Sequence, residues 1–300
     1  MGSPRGWPSS GSLRGERIRV GDLLYALLLQ SANDAAVALA EHVAGSVDAF
    51  VRRMNARVHR LGARDTWFAS PNGLDDRGYS TARDLLRITR AAYRLPGFAS
   101  IVATRVREIP APEGMAPRIV QNRNVLLWLY PGAVGVKTGY TARAGYCVVA
   151  VAERGGLRLV AVVLGAPADA FSDAATLLDY GFHAFERRRL VAAGEDLGRV
   201  TLSGRPVPVE AGAALDALVR VGEEVSRRLV VDPGAAYPPL PGQAIGSLRL
   251  SSRRGPIGGV PVVVISVPAP PPPEGSGPWW RRAADAALRA VAAALEALAG

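Results

Sequence analysis

Two short blocks of this chain hold side chains that could do chemistry together. One is Lys137-Thr138-Gly139, which offers an ammonium, a hydroxyl and a residue without a side chain. An ammonium supplies positive potential for a carboxylate, and the threonine hydroxyl can bond the same group. Glycine lets a substrate backbone come close to a strand. The triplet therefore predicts a site that can bind a carboxylate and a substrate backbone.

The second block is Ser31-Ala32-Asn33, at the joint between two predicted helices. A hydroxyl and an amide two residues apart can face one cleft from such a joint. There Ser31 can relay a proton, and Asn33 can hold a lysine or a substrate carbonyl. The block is equally compatible with an ordinary N-cap for the helix that follows at Asp34. Taken alone, it leaves both interpretations open.

Lys137 is the only lysine in the 300 residues, since 35 of the 36 strong bases are arginine. Arginine and lysine are not interchangeable where a compact point charge is needed. A single retained ammonium therefore favours a specific role for Lys137 over an exposed position on a strand.

The turn-rich segment 70–78 predicts a loop, because it is dense in Pro, Asn, Gly and Asp. Ser80 or Thr81 then predicts the cap of the next helix. We expect this region to be structural and assign it no catalytic role.

The composition indicates a folded basic protein. Its net charge is +10, but the arginines are dispersed and form no basic patch interleaved with aromatic residues. We therefore expect no binding to nucleic acid. Free use of arginine explains the charge better than an anionic partner does. A single cysteine, Cys147, excludes an intrachain disulfide, and the three histidines have no ligand spacing. We expect no metal and no cofactor.

The order of the predicted elements indicates an α+β fold. Helical patterns come first, at 21–45, 48–61 and 81–93, and strands follow at 133–141, 146–152 and 157–165, before a helix at 172–187. Gly155-Gly156 predicts the hairpin turn between the last two strands. Helices followed by an antiparallel meander are typical of the α+β class.

We predict five segments along the chain. These are a flexible tail (1–15), a main α+β domain (16–188), a small β-rich domain (189–267), a Pro-rich spacer (268–278) and an amphipathic helix (279–300). The last helix carries apolar residues on one face and Trp and Arg at one end, which favours a membrane surface. Packing against the β-rich domain and self-association are the alternatives. Neither a signal peptide nor a transmembrane span is predicted.

Together these blocks resemble the D-alanyl-D-alanine carboxypeptidases, which are low-molecular-mass penicillin-binding proteins. The resemblance is carried, in the family's order, by the sequences at 22–45, 70–84, 122–128 and 130–146. It is strong over about residues 11–186 and looser over the β-rich domain and terminal helix. It implies a penicillin-binding/β-lactamase-like transpeptidase domain, made of a helical cluster and an antiparallel sheet.

The resemblance also implies the reaction and the residue roles. A serine attacks the carbonyl between two D-alanines of a peptidoglycan stem peptide, the terminal D-alanine leaves, and water releases the acyl-enzyme. Ser31 would assist proton transfer, and Asn33 would position the lysine and the substrate. Lys137, Thr138 and Gly139 would bind the terminal residue. The N–H of Tyr140 would be an oxyanion donor.

One part of the family pattern is missing from these 300 residues. The nucleophile belongs to a Ser-x-x-Lys motif, and with Lys137 as the only lysine and Val134 three residues before it, no such motif exists here. We expect either a carboxypeptidase whose assigned start codon lies too far downstream or a fragment of one, inactive as given and binding β-lactams only with the missing part. The complete protein would lie on the outer face of the cytoplasmic membrane. The alternative is a non-catalytic relative that binds cell-wall peptides or a partner.

Overall fold

The computed structural model describes residues 9–13, 15–267, 284 and 288. The chain forms two compact units. The first comprises Met1–Arg187 with Leu218–Val221, and the second comprises Arg188–Ala217 with Gly222–Gly300. The spacer and terminal helix predicted at 268–300 lie, apart from two positions, outside the described residues. Their division from the β-rich domain stays a prediction, as do the other segment boundaries.

The first unit begins with helices. They are α1 (Val20–Tyr25), a π-helical turn (Ala26–Gln30), α2 (Asn33–Ala44), α3 (Val47–Arg60), α4 (Ala82–Ala92) and α5 (Phe98–Ala103). A hairpin of β1 (Val106–Ile109) and β2 (Arg118–Gln121) and the short α6 (Leu126–Leu129) follow. Then come β3 (Ala133–Thr141), β4 (Gly145–Arg154), β5 (Leu157–Ala166) and α7 (Ala170–Ala184).

Strands β3, β4 and β5 form an antiparallel meander in that order, as predicted. Apolar side chains cover both faces of this sheet. One cluster joins Val148 and Ala150 to Leu178 of α7, and another joins Val149 and Val151 to Val102 of α5. A sheet buried on both faces explains why β4 is nearly continuous in apolar residues instead of alternating.

The loop between α3 and α4 is held by a buried carboxylate. Asp84 is fully buried and accepts hydrogen bonds from the Asp65 N–H (2.8 Å) and the Thr66 hydroxyl (3.0 Å). Thr81 caps α4, because its side chain accepts a bond from the Asp84 N–H, which confirms that part of the sequence prediction. The loop therefore has a well-defined anchor.

The described part of the N-terminal segment contacts the first unit at two points. The hydroxyls of Ser9, Ser10 and Ser12 all donate to Asp34, at 2.7, 2.8 and 3.0 Å. Burial raises the pKa of the Asp34 carboxyl, but hydrogen bonds from Ser10 and Ser9 outweigh it and hold the pKa below its usual value. The guanidinium of Arg118 bonds Glu16 at 2.7 Å.

The second unit is built of strands. They are β6 (Phe185–Val191), β7 (Asp196–Leu202), β8 (Arg205–Ala211), β9 (Leu215–Arg220), β10 (Ser226–Val231), β11 (Ala244–Ser252) and β12 (Gly255–Val264), although β6 and β9 each begin or end in the first unit. Five of them form a sheet in the order β10-β11-β12-β8-β7, while β6 pairs with β9. Alternating burial along β8 and β11 marks one face as core and the other as exposed.

One local prediction was wrong, and some short elements were not predicted. Residues 185–187 were expected to end a helix, but α7 ends at Ala184 and Phe185 begins β6. Pairing with β9 makes these three residues part of a strand, since so short a run fits the helical and the strand period equally well. Helix α5 and the hairpin of β1 and β2 were not predicted, because four-residue strands are too short to set a pattern.

Candidate substrate-binding site

Ser31 lies at a sharp joint between the π-helical turn and α2. Its φ and ψ are 61° and 41°, a left-handed conformation that costs a residue with a side chain about 1–2 kcal/mol. Two backbone bonds impose it: Ser31 N–H to the Leu27 carbonyl (3.1 Å) and Ala32 N–H to the Ala26 carbonyl (3.2 Å). Ser31 is therefore not the N-cap of α2, where Ala32 occupies that position without a side-chain bond. Strain of this kind clusters at functional positions.

The structure brings the two chemically promising blocks together. The ammonium of Lys137 donates a 2.9 Å hydrogen bond to the hydroxyl of Ser31, although the two residues are 106 positions apart in sequence. A second bond, of 2.7 Å, runs from the same ammonium to the Thr138 carbonyl. Asn33 is the first residue of α2 and half-buried, two positions beyond Ser31.

The charge of Lys137 is poorly compensated. Burial, and to a smaller extent the positive charge of Arg123, together lower its pKa to about 8. Among the residues that the structure describes, no carboxylate lies within 4.0 Å of this ammonium. A half-buried cation whose bonds go to a hydroxyl and a carbonyl is suited to binding an anion brought by a ligand.

Arg123 is a site residue that the sequence reasoning missed. Its backbone N–H donates to the Leu29 carbonyl at 3.0 Å, which ties the segment before α6 to the turn that carries Ser31. Buried asparagines flank it: Asn122 bonds the carbonyls of Val102 and Thr104 at 3.1 and 3.0 Å. An arginine between two asparagines was visible at 122–124, but only the fold places its charge near Lys137.

Strand β3 presents the rest of the triplet at an open sheet edge. In the part of the chain that the structure describes, β3 pairs only with β4. A Cβ added to Gly139 would meet only the Cβ of Cys147, at 3.9 Å, so there is room for a ligand backbone on that residue. Tyr140 is 58% exposed, with its ring 4.5 Å from that of Tyr146 on β4.

The Ser9–Ser12 segment lies beside the Ser31 joint. Gln30 donates to the Ser9 carbonyl at 3.2 Å, and Asp34 accepts from the Ser10 N–H at 2.8 Å. Gln30 and Asp34 flank the block of Ser31, Ala32 and Asn33 on either side. The segment therefore fixes both ends of this block.

Neither metal-binding nor membrane-spanning features were found in the described ranges. They contain no group of three or more His, Cys, Asp or Glu side chains that could hold a metal ion. No helix among them is long and apolar enough to cross a membrane.

We expect Lys137 to titrate near pH 8 and to respond to Arg123. Selective ¹⁵N-lysine labelling gives one side-chain signal, since the chain has one lysine, and its midpoint can be followed by NMR. Arg123→Gln should raise the midpoint, because a nearby positive charge is removed, yet leave it below 10.5, because burial is the larger cause. Arg143→Gln, an exposed arginine of the β3–β4 turn, is the matched control. Equal midpoints in the two variants would contradict this electrostatic assignment.

The same shift predicts how stability depends on pH. The folded-state pKa of Lys137 is depressed to about 8 from 10.5, so between these values the unfolded chain binds the extra proton. The destabilisation, about 2 kcal/mol after allowing for partial exposure, is therefore present below pH 8 and disappears as the pH approaches 10.5.

Comparison with known proteins gives the class of the fold. The chain is similar to the crystal structure of penicillin-binding protein 5 from Haemophilus influenzae, with a TM-score of 0.64 and 30% identity over 88% of this chain and 78% of that one. It is also similar to a D-alanyl-D-alanine carboxypeptidase structure from Mycobacterium tuberculosis H37Rv, with a TM-score of 0.55 and 41% identity over 58% of this chain and 68% of that one. The α+β fold is thus that of the penicillin-binding proteins, as predicted.

A family model described as D-alanyl-D-alanine carboxypeptidase matches residues 8–168, which is more than half of the chain. The chain belongs to the D-alanyl-D-alanine carboxypeptidase family. Among curated relatives, it is 31% identical to the carboxypeptidase DacF of Bacillus subtilis over 79% of this chain and 63% of that protein. It is 44% identical to DacB2 of Mycobacterium tuberculosis over 53% of this chain and 57% of that protein. The chain thus spans less than two thirds of the length of these relatives.

Proposed function

We propose that this chain provides the substrate-recognition part of a serine-type D-Ala-D-Ala carboxypeptidase, a hydrolase acting on peptidoglycan stem peptides. The observation that carries the proposal is the 2.9 Å bond between Lys137 and Ser31 at an open strand edge. Family membership supplies the reaction, and the poorly compensated charge of Lys137 supplies a reason for a substrate that ends in a carboxylate.

The proposed roles rest on the family resemblance, and the position of the triplet on strand β3 supports them. The Lys137 ammonium and the Thr138 hydroxyl receive the terminal carboxylate. The peptide pairs with strand β3 as an added strand, and Gly139 permits its close approach. The N–H of Tyr140 donates to the carbonyl between the two D-alanines.

Proton transfer is assigned to Ser31 and Lys137. The Ser31 hydroxyl passes its proton to the amine of the departing D-alanine and takes one from the Lys137 ammonium in exchange, and Asn33 positions the lysine and the substrate. In the complete reaction a serine forms an ester with the penultimate D-alanine, and water then hydrolyses it. Because these 300 residues hold no Ser-x-x-Lys motif, we propose that the chain by itself binds such peptides without turning them over.

Two further parts of the proposal concern location and inhibitors. We place the protein outside the cytoplasm, with residues 279–300 on the membrane surface. β-Lactams carry a carboxylate beside an acyl group and would bind the same site, with covalent labelling only when a nucleophilic serine is supplied.

The test compares two ligands that differ only at the terminal group. We expect diacetyl-L-Lys-D-Ala-D-Ala to bind the purified chain, and its C-terminal amide to bind at least about tenfold more weakly, because the amide lacks the charge that Lys137 binds. Calorimetry at pH 7 measures both. Equal affinities would contradict carboxylate recognition, and release of D-alanine would contradict binding without turnover.

A further inference from the structure

Two exposed arginines face each other on the sheet of the second unit. Arg228 of β10 and Arg249 of β11 are directly opposite in the antiparallel register. Both are exposed, and residues directly opposite share one face of a sheet. Like charges in this position destabilise a strand pair. The arrangement therefore needs an explanation other than the stability of the sheet.

Two neighbouring arginines of this unit have a carboxylate close enough to neutralise their charge. Arg227, the next residue along β10, bonds both Glu195 and the Leu190 carbonyl. Arg254, in the β11–β12 turn, lies 4.0 Å from Glu223. Within the described residues, Arg228 and Arg249 have no such carboxylate within 4.0 Å. Over that part of the chain, the pair is thus a double positive charge without a compensating carboxylate.

The surroundings of the pair add donors and leave space. Ser226 and Ser251 face each other on the neighbouring rung of the same exposed face. On the other side, Arg249 is opposite Gly259 of β12, which has no side chain to cover it. A Cβ on Gly259 would fall 2.9 Å from the Leu248 carbonyl, so a residue with a side chain would fit poorly at this position. The result is an open surface with two guanidinium groups and two hydroxyls.

We propose that this face, defined by Arg228, Arg249, Ser226 and Ser251, binds the phosphate of anionic lipid headgroups. Guanidinium forks and hydroxyls are donors suited to phosphate oxygens, and a bound anion would remove the repulsion between the arginines. A lipid surface is the favoured source because the same unit leads, after β12, into the amphipathic helix predicted at 279–300. The second unit would then be a membrane contact of its own and not only a spacer.

Vesicle binding of the full chain tests the proposal. We expect binding to vesicles of phosphatidylglycerol and phosphatidylcholine, and Arg228→Gln/Arg249→Gln should weaken it by roughly 25-fold, about fivefold for each arginine. The matched control is Arg52→Gln/Arg57→Gln, which removes the same charge from the exposed side of α3. An equal loss in both double variants would overturn the proposal, because it would then report net charge alone. Unchanged binding in the first variant would overturn it too.

A second measurement uses thermal melting of the same full-length chain. Without an anion, Arg228→Glu should raise the melting temperature, because a cross-strand ion pair replaces a repulsion. Glycerol phosphate should raise the melting temperature of the original chain more than that of this variant. A destabilised variant would show that the arginines serve the fold and would overturn the site. If glycerol phosphate stabilises the chain but vesicle binding does not depend on the two arginines, the phosphate does not come from a lipid surface, and that part of the proposal is overturned.

Discussion

Replacing Lys137 by methionine should weaken the binding of D-Ala-D-Ala peptides to this chain by about 30-fold or more. Methionine is similar in length and fills the same space, but it cannot compensate a carboxylate in a half-buried site. Loss of one partner from such a charged contact costs about 2 kcal/mol or more, which is about 30-fold in affinity. Calorimetry with diacetyl-L-Lys-D-Ala-D-Ala at pH 7 measures it, and affinity in the unchanged chain should fall as the pH rises through about 8.

Two controls separate this loss from unfolding. The methionine variant should melt at the same temperature or higher at pH 7, because burial of the ammonium opposes folding there. Lys137→Arg keeps a charge but replaces the compact ammonium that bonds Ser31, so partial binding is expected. If the methionine variant binds as tightly as the original chain, the carboxylate lies elsewhere and the proposed function is wrong.

Gly132→Ala should strongly destabilise the first unit. Gly132 precedes β3 with a φ of 83°, and a Cβ there would lie 2.4 Å from the Glu153 carbonyl oxygen, which is backbone. The clash would also strain the bond of 2.8 Å from the Glu153 N–H to the Gly132 carbonyl. Left-handed strain, overpacking and a weakened hydrogen bond together cost about 3 kcal/mol or more. Urea unfolding measures the change.

Gly155→Ala provides the matched control for this effect. Gly155 also has a positive φ, 54°, but no atom lies within 4 Å of the added Cβ. We expect it to cost about 1 kcal/mol, from backbone strain alone. Because Gly132 sets the entry of the strand that carries Lys137, its variant should also shift the single lysine NMR signal. Equal costs for the two substitutions would show that the close approach at Gly132 does not matter.

Much of the fold was predictable because its signals are local. The meander of β3, β4 and β5 followed from apolar runs and the Gly155-Gly156 turn, and the cap at Thr81 followed from its side-chain chemistry. The short strands β1 and β2 were missed, since four residues are too few to show a period. The first residues of β6 were assigned to a helix because their strand partner is about thirty positions away.

The sequence alone determined which chemistry was available. A single lysine in Lys137-Thr138-Gly139, together with Ser31 and Asn33, indicated carboxylate recognition and proton transfer, since side-chain functional groups are properties of residue type. Only the tertiary structure decided that Lys137 bonds Ser31, that Arg123 shares its electrostatic environment, and that Arg228 faces Arg249. Such effects depend on the distances between residues remote in sequence and on how deeply these residues are buried. The packing of the folded chain sets both quantities.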